Sequence, residues 1–344
     1  MKTIQLSLCG TALLLLTACG SSKNVQFLEA YAPQESSLNM VKITDESNNS
    51  VTAGSSSYIN KYQVQSSIKS PVGVCAKSMY RWFTHKTLAI SPDGKKLAYV
   101  TRSNGQDNIM VRSTSSQGMA TQRTFRNVHS FSWGNDGKLY FSDLNGNNLY
   151  ISAVNAEQDS MMTQLTNGNV VDTEPVISSD GKMLFFTRQA DGSPSIWSLN
   201  RENGTLTSCA RGFNPCLIPG NNEAFYCTRN ASNGRSEIWY VDYVKGQESL
   251  ILSNENTSFT NPQLSPDGKW IACVGNTQSA ISKRENLDIF VVRTDGSNLT
   301  QLTWHPSADT CPVWAKDGRS IYFISARANK NESYNIWRMN FNME

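Results

Sequence analysis

Histidine is scarce in this chain, with three in 344 residues. None has a Cys or His partner at metal-ligand spacing and no Cys-x-x-Cys occurs, so a zinc centre is not expected. No G-x-S-x-G elbow, His-Glu-x-x-His or phosphate-binding loop is found, which removes the familiar serine-hydrolase, zincin and nucleotide chemistries. Charge is thin as well. Only 17% of residues are charged, the net charge is +3, and no run gathers the basic ones. Nucleic acid is therefore excluded as an expected partner. Beyond the N-terminus there is no long apolar run, and mean hydropathy is -0.41, which describes a soluble body.

What is present begins with processing. Lys2 precedes an apolar stretch from Ile4 to Leu16 that is too short to span a bilayer as a mature helix. It ends in Leu16-Thr17-Ala18-Cys19, which resembles a bacterial lipobox. That resemblance implies a signal peptide over 1–18 and lipidation of Cys19, with several acyl chains making a stable anchor. Gly20 in place of Asp, followed by "SSKN", implies an outer-membrane lipoprotein facing the periplasm, with the cell surface left open. Residues 19–74, whose segment 34–70 is rich in Ser, Asn and Gln, read as a flexible tether with room for one or two short strands. Cys75, Cys209, Cys216, Cys227, Cys273 and Cys311 remain, in a compartment that permits disulfides, and their connectivity is not legible.

The remainder repeats. "SPDGKKLAYV" at 91–100 returns as "SPDGKWIACV" at 265–274, and related turns centre on Asp136, Asp180, Asn221 and Asp317. The spacing matches a blade of four strands, with Asp-Gly supplying the positive-φ residue of a tight hairpin. A second column reads Asn108-Ile109-Met110, Asn148-Leu149-Tyr150, Ser195-Ile196-Trp197, Glu237-Ile238-Trp239, Asp288-Ile289-Phe290 and Asn335-Ile336-Trp337. Recurrence in every repeat marks these large side chains as packing between blades rather than a ligand platform. Outer strands follow, such as the two "TQLT" segments at 163–166 and 300–303. The last repeat lacks one, and "KSMYRWFT" at 77–84 is expected to supply it. The fold class is all-β: a six-bladed propeller of four-stranded antiparallel blades over 75–344, closed by an N-terminal strand.

The segments "EPVISSDGKMLFFTR" at 174–188 and "CPVWAKDGRSIYFIS" at 311–325 resemble the TolB-type propeller repeat. The family carries an α/β domain before its propeller, and residues 20–74 are too few to form one. The resemblance implies that a partner segment can enter the channel mouth.

Propeller geometry places the blade-to-blade crossovers and the second hairpins on one face. His85, Asp172, Phe213, Phe259 and Asp309 take equivalent positions there and are expected at the channel mouth. Asp172 and Asp309 share "DTEP" and "DTCP" contexts and could hold a cation between them, or simply cap their own turns. The long hairpins 275–286 and 324–335 add Lys283, Arg284 and Arg327 as loop-binding candidates. Arg102, Arg188 and Arg229 recur at one position and are expected to pair with neighbouring blades. The sequence thus points to a non-catalytic envelope lipoprotein that binds a protein or peptide, without a cofactor. The alternative is a receptor for a small ligand, glycan or cation; a propeller lyase or hydrolase stands third. A peptidase with its hydrolase domain after the propeller would need chain beyond 341.

Overall fold

The computed structural model describes residues 35–44 and 85–342, apart from 104–105, 116–118, 147, 160, 191–192, 279–284 and 328–333. Cys19, Cys75, Lys283, Arg284 and the 77–84 segment lie outside the described residues.

Every repeat forms four antiparallel strands stacked outward from a central axis. The inner strands are Leu88–Ile90, Val128–Trp133, Val171–Ile177, Phe213–Ile218, Phe259–Leu264 and Asp309–Trp314. Each opens a unit of four hydrogen-bonded strands, here called blades one to six. Blades two and three are also bridged by one parallel pairing, Val171 with Leu149. Consecutive inner strands touch, and the sixth touches the first, so the ring closes.

The expected turns are present. Gly94, Gly137, Gly181, Gly268 and Gly318 have φ between 69° and 76°, a region open to Gly without steric cost. In blade four the residue is Gly220, one position before Asn221, with φ 75°. Ser91, Ser178 and Ser265 each donate to the turn Asp two residues on, at 2.6 Å.

Six hydrophobic clusters account for the core, and each joins two adjacent blades. Blade one packs on blade two through Val100, Ile109, Phe131 and Phe141. Blade six closes onto blade one through Tyr322, Ile324, Leu88 and Tyr99. The recurrent aliphatic column, Ile109 to Ile336, is buried throughout. Its large neighbours Met110, Trp197, Trp239, Phe290 and Trp337 pack against these clusters, as the recurrence implied.

Two expectations are corrected. The outer strand of blade six is Val41–Lys42, paired antiparallel with Arg338 and Trp337, so the closing strand comes from within the expected tether. Ile43 joins the core beside it, which explains why this short segment is held. Two of the recurrent arginines, Arg188 and Arg229, in turn pair inside their own blades. Arg188 binds Asp172 and lies over Trp197; Arg229 binds Glu248 and lies over Trp239. Their position on the middle strand puts them opposite these groups before any neighbouring blade.

Cys209, Cys216, Cys227, Cys273 and Cys311 are free thiols. Among the described residues no helix is long and apolar enough to cross a membrane.

Candidate functional site

Proline interrupts four of the six inner strands, and the residue before each proline is left-handed. Glu174, Asn214, Asn261 and Cys311 have φ of 55°, 51°, 55° and 53°. A non-glycine residue held there costs on the order of 1–3 kcal/mol and persists only where its surroundings over-determine it. Each strand bulges at this point, for example between Thr173 and Val176 and between Thr310 and Val313.

These bulges link the blades into a buried polar belt. Ser130 Oγ accepts the main-chain N–H of Glu174 at 2.7 Å. Glu174 Oε2 accepts the N–H of Asn214 at 2.7 Å, and Asn214 Oδ1 accepts the N–H of Asn261 at 3.2 Å. At the ring closure the Cys311 thiol donates to the His85 carbonyl at 3.0 Å and lies 3.5 Å from Thr87 Oγ1. In blades three to five, the preceding blade's side chain thus satisfies the strained backbone. Glu174 also accepts from Asn214 Nδ2 at 2.5 Å and Thr187 Oγ1 at 2.8 Å, and its Oε1 lies 3.3 Å from His85 Nδ1. His85 packs against His129 with ring centroids 3.8 Å apart and the planes tilted by 54°. Burial, then the neighbouring His85, pushes the His129 pKa well below its ordinary value, so this ring is neutral.

On the Asp-Gly face of this belt lies a cavity of about 370 Å³, the size of a small-ligand site. All six blades line it, through side chains such as Ile90, Trp133, Val176, Leu217, Leu264 and Val313. Its charged lining residues are Lys86 and Lys316, and no carboxylate lines it. Lys86 keeps partial exposure. Burial lowers its pKa, opposed by the Cys216, Glu174 and Cys311 groups around it. No described carboxylate pairs directly with its ammonium.

The opposite face does not present the residues expected at a mouth. His85, Asp172, Phe213, Phe259 and Asp309 are all at most 2% exposed. Asp172 receives two bonds from Arg188, at 2.7 and 2.8 Å. Asp309 receives Arg327 Nη2 at 2.5 Å. Phe259 packs edge-on against Phe290. Asp172 and Asp309 are therefore neutralised separately, each by an arginine from the adjacent strand or its end, instead of converging on a cation. Among the described residues, no three His, Cys, Asp or Glu side chains are placed to hold a metal. Arg327, expected as an accessible loop residue, is 3% exposed and binds Glu35 as well as Asp309.

Sequence reasoning missed the belt and Lys86. Four X-Pro pairs at one repeat position were the available signal, but that signal reveals a bulge and not which side chains meet around the axis.

A family model described as TolB beta propeller domain matches this chain twice, over residues 85–214 and 214–343. A protein TolB homolog of Chlorobium luteolum is 24% identical over 43% of this chain, and the match covers 32% of that protein. The Tol-Pal system protein TolB of Bordetella pertussis is 26% identical over 33% of this chain, covering 26% of its own length. The chain thus spans a third or less of these curated relatives. Among solved structures, a putative TolB from Agrobacterium tumefaciens superposes with a TM-score of 0.57 at 16% identity, covering 75% of this chain and 90% of that one. An oligogalacturonate lyase in complex with manganese gives 0.53 at 11% identity, with the same coverages of 75% and 90%. At these identities the structural likeness is one of fold alone.

Proposed function

The chain belongs to the TolB beta-propeller family, and from that premise we propose that it is a non-catalytic protein-binding scaffold of the bacterial cell envelope. Lipid on Cys19 would hold it at the outer membrane, facing the periplasm. The binding site is the axial cavity on the Asp-Gly face, in place of the crossover face and the hairpins of blades five and six.

One observation carries this reading: every blade contributes to a single open cavity whose floor is a hydrogen-bonded belt. Such a floor fixes the positions of the walls, so little ordering remains to oppose binding. The lining mixes apolar side chains with polar ones, and turns form the rim, which suits an inserted peptide segment. The relatives named for the Tol-Pal system support an envelope partner. The fold is shared with a lyase, and a fold by itself assigns no chemistry.

Photo-cross-linking in intact cells tests the proposal. A photoreactive residue at Asn135, on the cavity rim, should capture a discrete protein, whereas one at Ser249, on the outer strand of blade four, should not. Equal capture at both positions, or none at Asn135, would refute the site.

A further inference from the structure

The cavity's charge pattern is one-sided. Three buried or half-buried arginines are paired with carboxylates: Arg188 with Asp172, Arg327 with Asp309 and Glu35, Arg229 with Glu248. Lys86 departs from this. It sits at the cavity floor beside the belt, amid the bulged inner strands, without a partner carboxylate among the described residues. Glu174, whose charge acts on Lys86, has its oxygens taken by Asn214, Thr187 and His85. Lys316 at the rim adds a second positive charge, and nothing acidic lines the walls between them. A cation held in a low-dielectric recess interacts more strongly with an arriving anion than it would on open surface.

We propose that the cavity receives an acidic peptide segment of a protein partner, with a Glu or Asp carboxylate meeting Lys86 at the floor and apolar neighbours packing on Trp133, Ile177, Leu217 and Trp314. This deepens the protein-binding reading above and rests on it. The walls decide between peptide and acidic sugar. Sugar hydroxyls need several side-chain donors and acceptors, and here Gln263 is engaged by Pro262 and Asn261 while Ser91 and Ser265 are held in their turns. Aliphatic and indole surfaces fit Leu, Val or Pro side chains flanking the carboxylate.

The test uses the purified lipid-free propeller with its N-terminal segment, residues 20–344. The probes are three libraries, acetyl-X-X-Z-X-X-amide, with X drawn from Leu, Pro, Ser and Thr and Z fixed as Glu, Gln or Lys. Binding is read from Trp133 and Trp314 fluorescence, with trigalacturonate as a competing arm. The Glu library is expected to bind at least tenfold tighter than the Gln library. Lys86→Met should abolish that preference, and Lys86→Arg should retain it, both at unchanged melting temperature. Equal binding of Glu and Gln libraries overturns the charge assignment while leaving the protein-binding reading intact. A preference for Lys, for trigalacturonate, or for none of the probes overturns the inference outright. Loss of cross-linking at Asn135 is the separate result that would sink the parent reading.

Discussion

Arg327 and Glu35, 292 residues apart in sequence, form a buried ion pair at 2.7 Å. Arg327 also reaches Asp309 at 2.5 Å, lies over Phe323, and touches the Met40 sulfur. Glu35 in turn accepts the N–H of Trp304 at 2.8 Å. One guanidinium therefore fastens the segment 35–44 to the last blade, next to the strand that completes that blade.

Removing the cation should leave two buried carboxylates facing each other. Arg327→Met is expected to cost about 3–5 kcal/mol of stability, the range for breaking a buried pair from one side. Glu35→Gln should cost less, because Asp309 still neutralises Arg327. Urea unfolding gives both values. Limited proteolysis should cut near residue 45 sooner in each variant, and an unchanged cutting rate would refute the clamp.

The carboxylates Asp172 and Asp309 are structural on this geometry. A ligand-binding role predicts that Asp172→Ala together with Asp309→Ala leaves the thermal transition nearly unchanged. The buried pairing predicts the opposite. Each single change should lower the melting temperature by on the order of 5–10 °C, from a loss of about 3 kcal/mol in a domain of this size. Calorimetry on the two single variants separates the alternatives.

Stability should fall on both sides of an intermediate pH. Burial and the nearby Asp309 raise Asp288 to about 8, and burial raises Asp309 to about 6 against the pull of Arg327. A carboxyl group with a raised folded pKa binds protons more tightly in the native state. Its contribution is complete below about pH 4 and is lost as pH rises toward 8. Asp288→Asn should flatten that limb. On the acid side, His305 is held down to about 3 by burial, then by Arg327, and His129 lies well below its ordinary value. Their neutral forms stabilise the fold above about pH 6.5 and progressively less below it. Both ring nitrogens of His129 lack a partner among the described residues. His129→Phe should therefore move the acid unfolding midpoint lower without a large penalty at pH 7.

Glu174→Ala should be among the most damaging single changes. It strips the acceptor from the Asn214 N–H, the Asn214 amide and the Thr187 hydroxyl. Each orphaned buried donor costs about 1–3 kcal/mol. Hydrogen exchange at the Asn214 amide is the direct readout, and protection equal to wild type would show that the belt does not depend on Glu174.

The blades were legible because a propeller is written in local terms. Asp-Gly sets a hairpin, alternation sets the faces of a strand, and recurrence at blade spacing sets the stacking, as the buried Ile109-to-Ile336 column bears out. The closing strand was misassigned for a physical reason. Two residues, Val41 and Lys42, suffice to cover an edge when Ile43 is buried beside them, and so short a strand leaves no periodicity to detect. His85, Asp172 and Asp309 were rightly grouped as equivalent positions, but equivalence says nothing of what lies across the strand. The register sets Asp172 opposite Arg188, and that pairing removes it from any mouth.

The sequence by itself determined the number and form of the repeats, the turns, and which side chains face between blades, since all of these follow from contacts a few residues apart. Only the tertiary structure decided where charge is cancelled and where it is left over. Glu174 meets Ser130 and Asn214, Arg327 meets Glu35, and Lys86 forms no ion pair among the described residues, because ring closure sets which distant strands meet. No local pattern encodes that distance.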